Sequence, residues 1–368
     1  SVFLLNQGYT NSEIGVILAL GFLGSAILQQ FVAVFADRTG RISLTTIIIF
    51  CIIMLLVSFT GILFIKNRSV FFSFLFIFAA VLLMLVQPLM NSLNFYLEKA
   101  SVKMNFGVAR SMGSLSYAIL SFLLGILVER ISPKILPVCA VILTVSMMFV
   151  MLLIAYDYRL YGTLQEEKEI KSGEKKLDVL QFFLQYRRFF LFLIGVLGLF
   201  FGHTLINSYL YQIAVNVGGS SKDLGGIQAM SALLELPAMI FFEQLKKRFG
   251  CVKLLKLSAV FFLIKISITL FAGSVPLLYV STVCQAFAFA IFIPASVHFV
   301  NETMRQNDAV KGQAFLTGVI TVSNLLASLC GGILIDRYSV FLMLFSGTLV
   351  TLGGTVVMIL ALNLVLIL

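Results

Sequence analysis

"NFGVARSMGSLSYAILSFLLGILVER", residues 105–130, is an apolar run long enough to cross a lipid bilayer, and a charge, Arg110, lies inside it. A spanning helix needs about 20 such residues at a rise of about 1.5 Å each. A charge at bilayer depth costs at least ~2.5–3.5 kcal/mol. Arg110 therefore either reaches the cytoplasmic surface along its aliphatic stem, or it faces something that requires a fixed positive charge.

The rest of the chain has the same character. Of its residues 60% are hydrophobic and 11% charged, with a mean hydropathy of +1.06; a soluble domain carries about 25% charged residues. Lipid is the solvent this composition requires. Apolar runs of spanning length recur at 11–36, 42–65, 69–97, 105–130, 134–156, 187–215, 223–245, 251–273, 275–303, 310–336 and 339–366. Ser12, with Glu13 beside it, and Ser69 read as helix starts. The polar, charged stretch 157–186 reads as a solvated cytoplasmic linker with room for a surface helix. It divides the chain into an N-terminal bundle, 1–156, and a C-terminal bundle, 187–368.

The two parts repeat one another. "GILVERIS" (125–132), the end of the opening stretch, matches "GILIDRYS" (332–339). "NQGYTNSEIG" (6–15) matches "NVGGSSKDLG" (216–225), and "DRTGR" (37–41) falls on "KRFGC" (247–251). Three matches in order, at nearly one offset, indicate a duplicated unit, and parallel six-helix repeats are a transporter plan. Residues 1–6 align with 211–216, the end of the seventh span. The first helix is thus expected to be largely missing from this chain, and the complete protein to have twelve spans. The fold class is an all-α polytopic membrane protein of two pseudo-symmetric six-helix bundles. With 37–41 in the cytoplasm, most of the 26 Lys and Arg fall on that side, as the positive-inside rule requires. The net charge of +10 follows this topology and gives no sign of nucleic-acid binding.

Several chemistries have no residues to carry them. No GxxxxGK[ST], HExxH, GxSxG or GxGxxG run occurs, and two isolated histidines make a poor metal site. Neither an enzyme nor a cofactor is expected. Glu235 is the only acid deep within a span, and a buried carboxylate is the minimum equipment for exchanging a proton. Lys265, on the next span, lies at a similar depth, so the two could also form a fixed ion pair. His203 either assists the proton chemistry or packs as a hydrogen-bonded core residue. Asn91 and Asn94 either line a cavity or hold helices together.

"DRTGR" (37–41), between the second and third helices of a six-helix half, resembles the loop motif of the major facilitator superfamily. Asp37, Arg38, Gly40 and Arg41 are retained, whereas Ala33 stands at the motif's first glycine. The resemblance implies that these residues gate the cytoplasmic face. "FGVARSMGSLSYA" (106–118), "LLELP" (233–237) and "GQAFLTGVITVSNLLASLCGGILIDRYS" (312–339) are similar to the branch that holds lactose permease, the nucleoside–proton symporters and the phenylpropionate-permease-like proteins. By that resemblance Arg110 hydrogen-bonds the solute, Tyr117 stacks on it or simply packs, and Ser114 lies nearby. Asn94 stands where the sugar permease has a glutamate, and Lys265 where it has an arginine of the proton-coupling network. Gln285 and Ala288 replace that permease's proton-coupling histidine and glutamate, so Glu235 has to carry any proton coupling here.

The fifth span lacks the glycine–proline motif of proton-driven drug exporters. The expected function is proton-coupled uptake of a small polar or anionic solute, such as a sugar, a nucleoside or an aromatic carboxylate. An exporter, or a non-transporting sensor or scaffold of the same fold, is the alternative. The expected setting is the bacterial cytoplasmic membrane, as a monomer, with the solute, a proton and the lipid bilayer as its partners.

Overall fold

The computed structural model describes residues 1–39, 44–65, 68–99, 106–161 and 179–365. Every regular element among them is helical. In chain order they are α1 (Val2–Asn6), α2 (Asn11–Thr39), α3 (Leu44–Phe64), α4 (Val70–Lys99), α5 (Phe106–Arg130), α6 (Ile135–Tyr161), α7 (Val179–Gln185), α8 (Arg187–Ser208), α9 (Leu210–Asn216), α10 (Ser221–Ile240), α11 (Phe242–Phe249), α12 (Cys251–Leu270), α13 (Val275–Val283), α14 (Phe289–Thr303), α15 (Gln306–Arg337) and α16 (Val340–Val365). Among the described residues nine helices are long and apolar enough to cross a membrane, or ten if the bent pair α10–α11 is one span. α12 has the length, 20 residues, but carries Lys253, Lys256 and Lys265.

The duplicated sequence has a duplicated geometry. Gly8 and Gly218 both hold φ of 81°, a left-handed conformation open to glycine at little cost. Each closes the turn before a capped helix. At α10, Ser220 and Asp223 form a reciprocal capping box. At α2 the same box is built by Thr10 and Glu13: Glu13 N–H donates to Thr10 Oγ1 at 3.3 Å, and Thr10 N–H to Glu13 Oε2 at 2.9 Å. Such a box satisfies two amides that the helix itself leaves unpaired. The cap is therefore Thr10 rather than Ser12. The Ser69 cap is present, its Oγ accepting from Phe72 N–H at 3.1 Å.

Each half has its own apolar core. Ile48, Ile52, Leu93 and Met151 are buried together in the N-terminal half. Phe192, Val196, Leu255, Phe292 and Met358 belong to the larger core of the C-terminal half. That core extends into the stretch expected to be a solvated linker: Phe182 of α7 is 1% exposed within it, and Tyr186 donates its hydroxyl to Asp308 at 2.9 Å. The charges of 157–178 raise the average polarity of the segment and conceal the apolar "VLQFFLQY" at its end. Residues 162–178 lie outside the described residues.

Between the halves the packing residues are small. Ala118 of α5 meets Ala229 and Ala232 of α10, and Gly125 faces Gly225 so closely that a Cβ on either would lie 3.0 Å from the other's Cα. In the repeat α2 corresponds to α10 and α5 to α15. The two tight pairs across the interface, α5 with α10 and α2 with α15, are therefore copies of one contact. Small side chains let helix backbones approach where no hydrophobic force drives them together in lipid.

Among the described residues, helical paths of the C-terminal half are broken at several points. α8 and α9 meet at Tyr209, and α10 bends by 56° into α11 four residues after Pro237. α13 gives way to a 3₁₀ turn, Cys284–Ala286, before α14. Proline removes its own N–H and crowds the turn before it, yet α10 runs on through Pro237 and bends a turn later, where Phe241 N–H still donates to the Pro237 carbonyl at 3.0 Å.

Within the C-terminal half, α8 crosses α16 at Gly198, where an added Cβ would come 2.7 Å from Gly354 Cα. Gly198→Leu is expected to destabilise the protein by about 1–3 kcal/mol through overpacking. Gly353 has open space around its Cβ position, so Gly353→Leu should stay within about 0.5 kcal/mol of the parent. Thermal unfolding in detergent checks both; equal midpoints would show that the crossing does not depend on Gly198.

Candidate functional site

A cavity of about 830 Å³ lies between the halves. From the N-terminal half it is lined by Gln87, Gly113, Ser114 and Tyr117, and from the C-terminal half by His203, Asn207, Gln228, Glu235, Lys265 and Gln285. A second cavity, of about 850 Å³, shares Tyr117, His203, Asn207, Leu210, Gln228 and Phe289 with the first. These shared residues form the wall between the two spaces.

Of the residues expected to bind solute, Ser114 and Tyr117 line the cavity as the spacing on α5 requires; residues three apart on a helix share a face. Arg110 lies one turn earlier in α5, and Asn91 and Asn94 lie in α4, but their side chains are outside the described residues. So are the side chains of Asp37 and Arg38, and the whole of Gly40 and Arg41.

The structure brings together the three residues expected to couple a proton. Glu235 and Lys265 are joined through an amide. Lys265 Nζ donates to Gln285 Oε1 at 2.6 Å, and Gln285 Nε2 donates to Glu235 Oε1 at 2.9 Å. An ammonium can only donate and a carboxylate only accept, so the Gln285 amide has a single orientation that serves both. Lys265 is 4% exposed and Gln285 3%. Burying a cation without compensation costs several kcal/mol, and the hydrogen-bonded chain offsets that cost. The helix break at 284–288 places Gln285 in this position, because the 3₁₀ turn swings its side chain between α10 and α12. Ser258 Oγ donates to the Ala288 carbonyl at 2.7 Å, a second bond beside the one that carbonyl accepts from Phe292 N–H at 3.1 Å, and ties the end of the break to α12.

His203 is 8% exposed and stacks on Phe289, with ring centroids 4.9 Å apart and an interplanar angle of 9°. Its Nε2 lies 2.8 Å from Asn207 Nδ2. Its Nδ1 has no hydrogen-bond partner among the described residues. If the Asn207 amide donates to Nε2, the ring proton is on Nδ1, and a buried donor borders both cavities without an acceptor. A little deeper in the helix, Thr204 Oγ1 donates to Asn324 Oδ1 at 2.6 Å.

Asn207 and Gln228 were not singled out from the sequence, and Gln285 entered only as the replacement for a proton-coupling histidine, with no role of its own. One signal for Asn207 was available, since His203 and Asn207 are four apart in an otherwise apolar helix and must share a face. For Gln285 the resemblance marked the position but not the role, because the role depends on a break that no proline or glycine next to it announces.

The site holds hydrogen-bonding groups, an aromatic face and opposite charges, but no cluster of three metal-ligating side chains occurs among the described residues. Such groups suit hydrogen bonding and stacking with a polar solute. The sequence model of the MFS_1 like family matches residues 1–345. The uncharacterized transporter YwbF of Bacillus subtilis (strain 168) is 22% identical over 342 residues, which are 91% of this chain and 81% of that protein. The structure of the nucleoside transporter NupG superposes with a TM-score of 0.75 at 13% identity, over 96% of this chain and 92% of that one. A bacterial homologue of the iron transporter ferroportin, in an inward-facing state, gives 0.71 at 13% identity, over 98% and 92%. At such identities the superpositions speak for the fold. The sequence match, covering nearly the whole chain, decides membership: the chain belongs to the MFS_1 like family, and it is a membrane transporter of the major facilitator type rather than an enzyme.

Proposed function

We propose that the protein takes up a nucleoside, or a ring-bearing solute of similar size and polarity, together with a proton. The observation that carries this is the buried Lys265–Gln285–Glu235 chain in the wall of the central cavity, beside the unpartnered Nδ1 of His203. The cavity volume lies within the range of about 300–1,000 Å³ usual for small-molecule sites. Tyr117 and Phe289 offer aromatic faces to a planar ring, and Asn207 and Gln228 offer donors and acceptors to its edge. A transporter of the same fold, NupG, handles nucleosides, which favours this class among the polar solutes expected from the sequence.

In this mechanism Glu235 takes up a proton while the cavity faces outward. Protonation removes one end of the Lys265–Gln285–Glu235 chain as a charge and turns the carboxyl into a donor. Solute then bridges the two halves, with His203 Nδ1–H and the amides on one side and Tyr117 and Ser114 on the other. Arg110 is proposed as a further contact on the α5 side, since a guanidinium fork suits hydroxyls held in a ring. The halves rock, the solute leaves on the cytoplasmic side, and Lys265 draws the proton off Glu235 by restoring the charged pair. Asn91 and Asn94 are proposed to line the inner part of the path. Asp37, Arg38, Gly40 and Arg41 are proposed to hold the cytoplasmic end closed in the outward-facing state. The proposed setting is a bacterial cytoplasmic membrane, with the protein acting as a monomer.

The test uses the full chain in proteoliposomes with a pH-sensitive dye inside. Uridine or adenosine should acidify the lumen, while lactose and phenylpropionate should not. Glu235→Gln should abolish the acidification and still bind solute. Acidification by lactose or phenylpropionate instead would reassign the solute; saturable nucleoside uptake with no pH change would remove the proton.

His203→Ala is expected to weaken solute binding by roughly tenfold, the loss of one good hydrogen bond from a buried site. Gln285→Leu, which cuts the chain between Lys265 and Glu235, should lower proton-coupled flux more than solute affinity. Equilibrium binding beside counterflow measures both; unchanged binding in His203→Ala would remove that residue from the solute site.

A further inference from the structure

The repeated motifs "GILVERIS" and "GILIDRYS" each hold, at their fifth position, a carboxylate that the solute site does not use. Asp336, near the end of α15, reaches across the interface to the start of α2. Its Oδ1 accepts from Asn11 N–H at 3.1 Å and from Asn11 Nδ2 at 2.8 Å, and its Oδ2 accepts from Ser12 N–H at 2.6 Å. Glu129, at the end of α5, reaches across to the start of α10. Its Oε2 accepts from Lys222 N–H at 2.9 Å and from Ser220 Oγ at 2.6 Å. Ser12 and Lys222 are the same position in the two repeats, the second residue of each helix. One glycine lies a turn before each carboxylate: Gly332 is pressed against the Asn11 carbonyl, and a Cβ on Gly125 would lie 2.8 Å from the Ser221 carbonyl.

We propose that Glu129 and Asp336 form the outer gate of this transporter, each holding its own half against the other by capping the opposing half's helix. All five bonds run between halves, so none survives if the outer ends separate. The first amides of a helix point out of its end and carry partial positive charge, and a carboxylate placed there makes short, charge-assisted bonds. Both helices already cap themselves with their own box, Thr10 with Glu13 and Ser220 with Asp223. The carboxylates from the other half are thus not needed to start either helix; what they add is the contact between halves. Gln212 Nε2, donating to Asn11 Oδ1 at 2.8 Å, adds a third link at the Asp336 side. The lysine and arginine distribution assigns this end to the outer face, opposite the 37–41 loop. The inference does not depend on which solute or ion is carried.

The test is access to the central cavity from outside. Ser231, which lines that cavity, is replaced by cysteine in the full chain, with the five native cysteines removed. Right-side-out vesicles are exposed to a membrane-impermeant maleimide. Glu129→Gln and Asp336→Asn keep the size of each side chain and remove its charge. Each is expected to speed labelling roughly tenfold, the factor carried by a hydrogen-bonded pair that includes an ion. The double variant should exceed either. Ser220→Ala, which removes one partner of Glu129 and leaves the carboxylate, should raise labelling by a smaller factor. Gly125→Trp, a wedge at the same interface, shows that the reporter responds to opening. Labelling by both carboxamide variants at the parent rate, with the wedge fast, overturns the proposal and leaves closure to the glycine contacts alone.

Discussion

A polypeptide in a bilayer has to pair its backbone amides and carbonyls within the protein, because hydrocarbon offers no partners. This constraint makes the described part of the chain helical, and it also explains where helices are allowed to stop. The interruptions at Tyr209, at Phe241 and at Cys284–Ala286 lie in the C-terminal half, and two of these adjoin the central cavity. Each freed backbone group needs a substitute. At the last of these the backbone pairs itself, Phe287 N–H and Ala288 N–H both donating to the Cys284 carbonyl and Phe292 N–H to that of Ala288, with Ser258 Oγ as a further donor. In return the breaks turn polar side chains inward without exposing backbone to lipid. Gln285 is the clearest case: in a straight helix it would be one more amide on a cylinder, and in the 3₁₀ turn it bridges Lys265 and Glu235.

That bridge also decides what kind of electrostatic device the site contains. A direct ion pair between Lys265 and Glu235 would be a fixed link, costly to bury and costly to break. An amide between them transmits the charge of each to the other while leaving both open to other partners. Gln285 can accept from the lysine and donate to the carboxylate, but a protonated carboxyl no longer needs that donor. A change of one proton at Glu235 thus loosens a hydrogen bond in the cavity wall. A histidine in the same place could take a proton itself; glutamine cannot, so the only acid in the chain of three is Glu235.

How much of this was legible in the sequence depends on the range of the interaction. Spans, topology and duplication follow from local composition and from spacing along the chain, and the helices fall on the eleven apolar runs. The repeat even carried conformation, since Gly8 and Gly218 share one positive φ and Thr10–Glu13 and Ser220–Asp223 share one cap. Where a single position had to be chosen among neighbouring polar residues, the reading slipped, as with Ser12 for Thr10. Segment averages also mislead: the charged run before residue 179 masked a phenylalanine pair that belongs to the core. The site was half legible. Glu235, Lys265 and His203 stand out because charge and imidazole are rare in lipid, whereas neutral amides are common helix links and only their placement at breaks gives them a role. Glu129 and Asp336 sit at span ends, where a carboxylate is unexceptional; their partners lie in the other half of the chain, 93 and 324 residues away for the backbone bonds to Lys222 and Ser12.

The same helices carry both the solute site and the outer contacts, and this has a mechanical consequence. α5 bears Ser114 and Tyr117 at the cavity and Glu129 at its outer end. α10 bears the Lys222 amide capped by Glu129 at its outer end and Glu235 about four turns further in. A solute that draws Tyr117 toward Gln228 closes the middle of this helix pair, and the packing of Ala118 with Ala229 and Ala232 makes that middle a tight pivot. Movement at one end of a stiff pair about such a pivot moves the other end in the opposite sense. The α2–α15 pair repeats the outer contact but carries none of the charged groups of the solute site. It can stabilise the closed outer end, but it has little differential contact with the solute through which to sense it. If the proposed solute site and outer gate hold, the α5–α10 pair couples the one to the other, and the α2–α15 pair sets how firmly the gate rests shut.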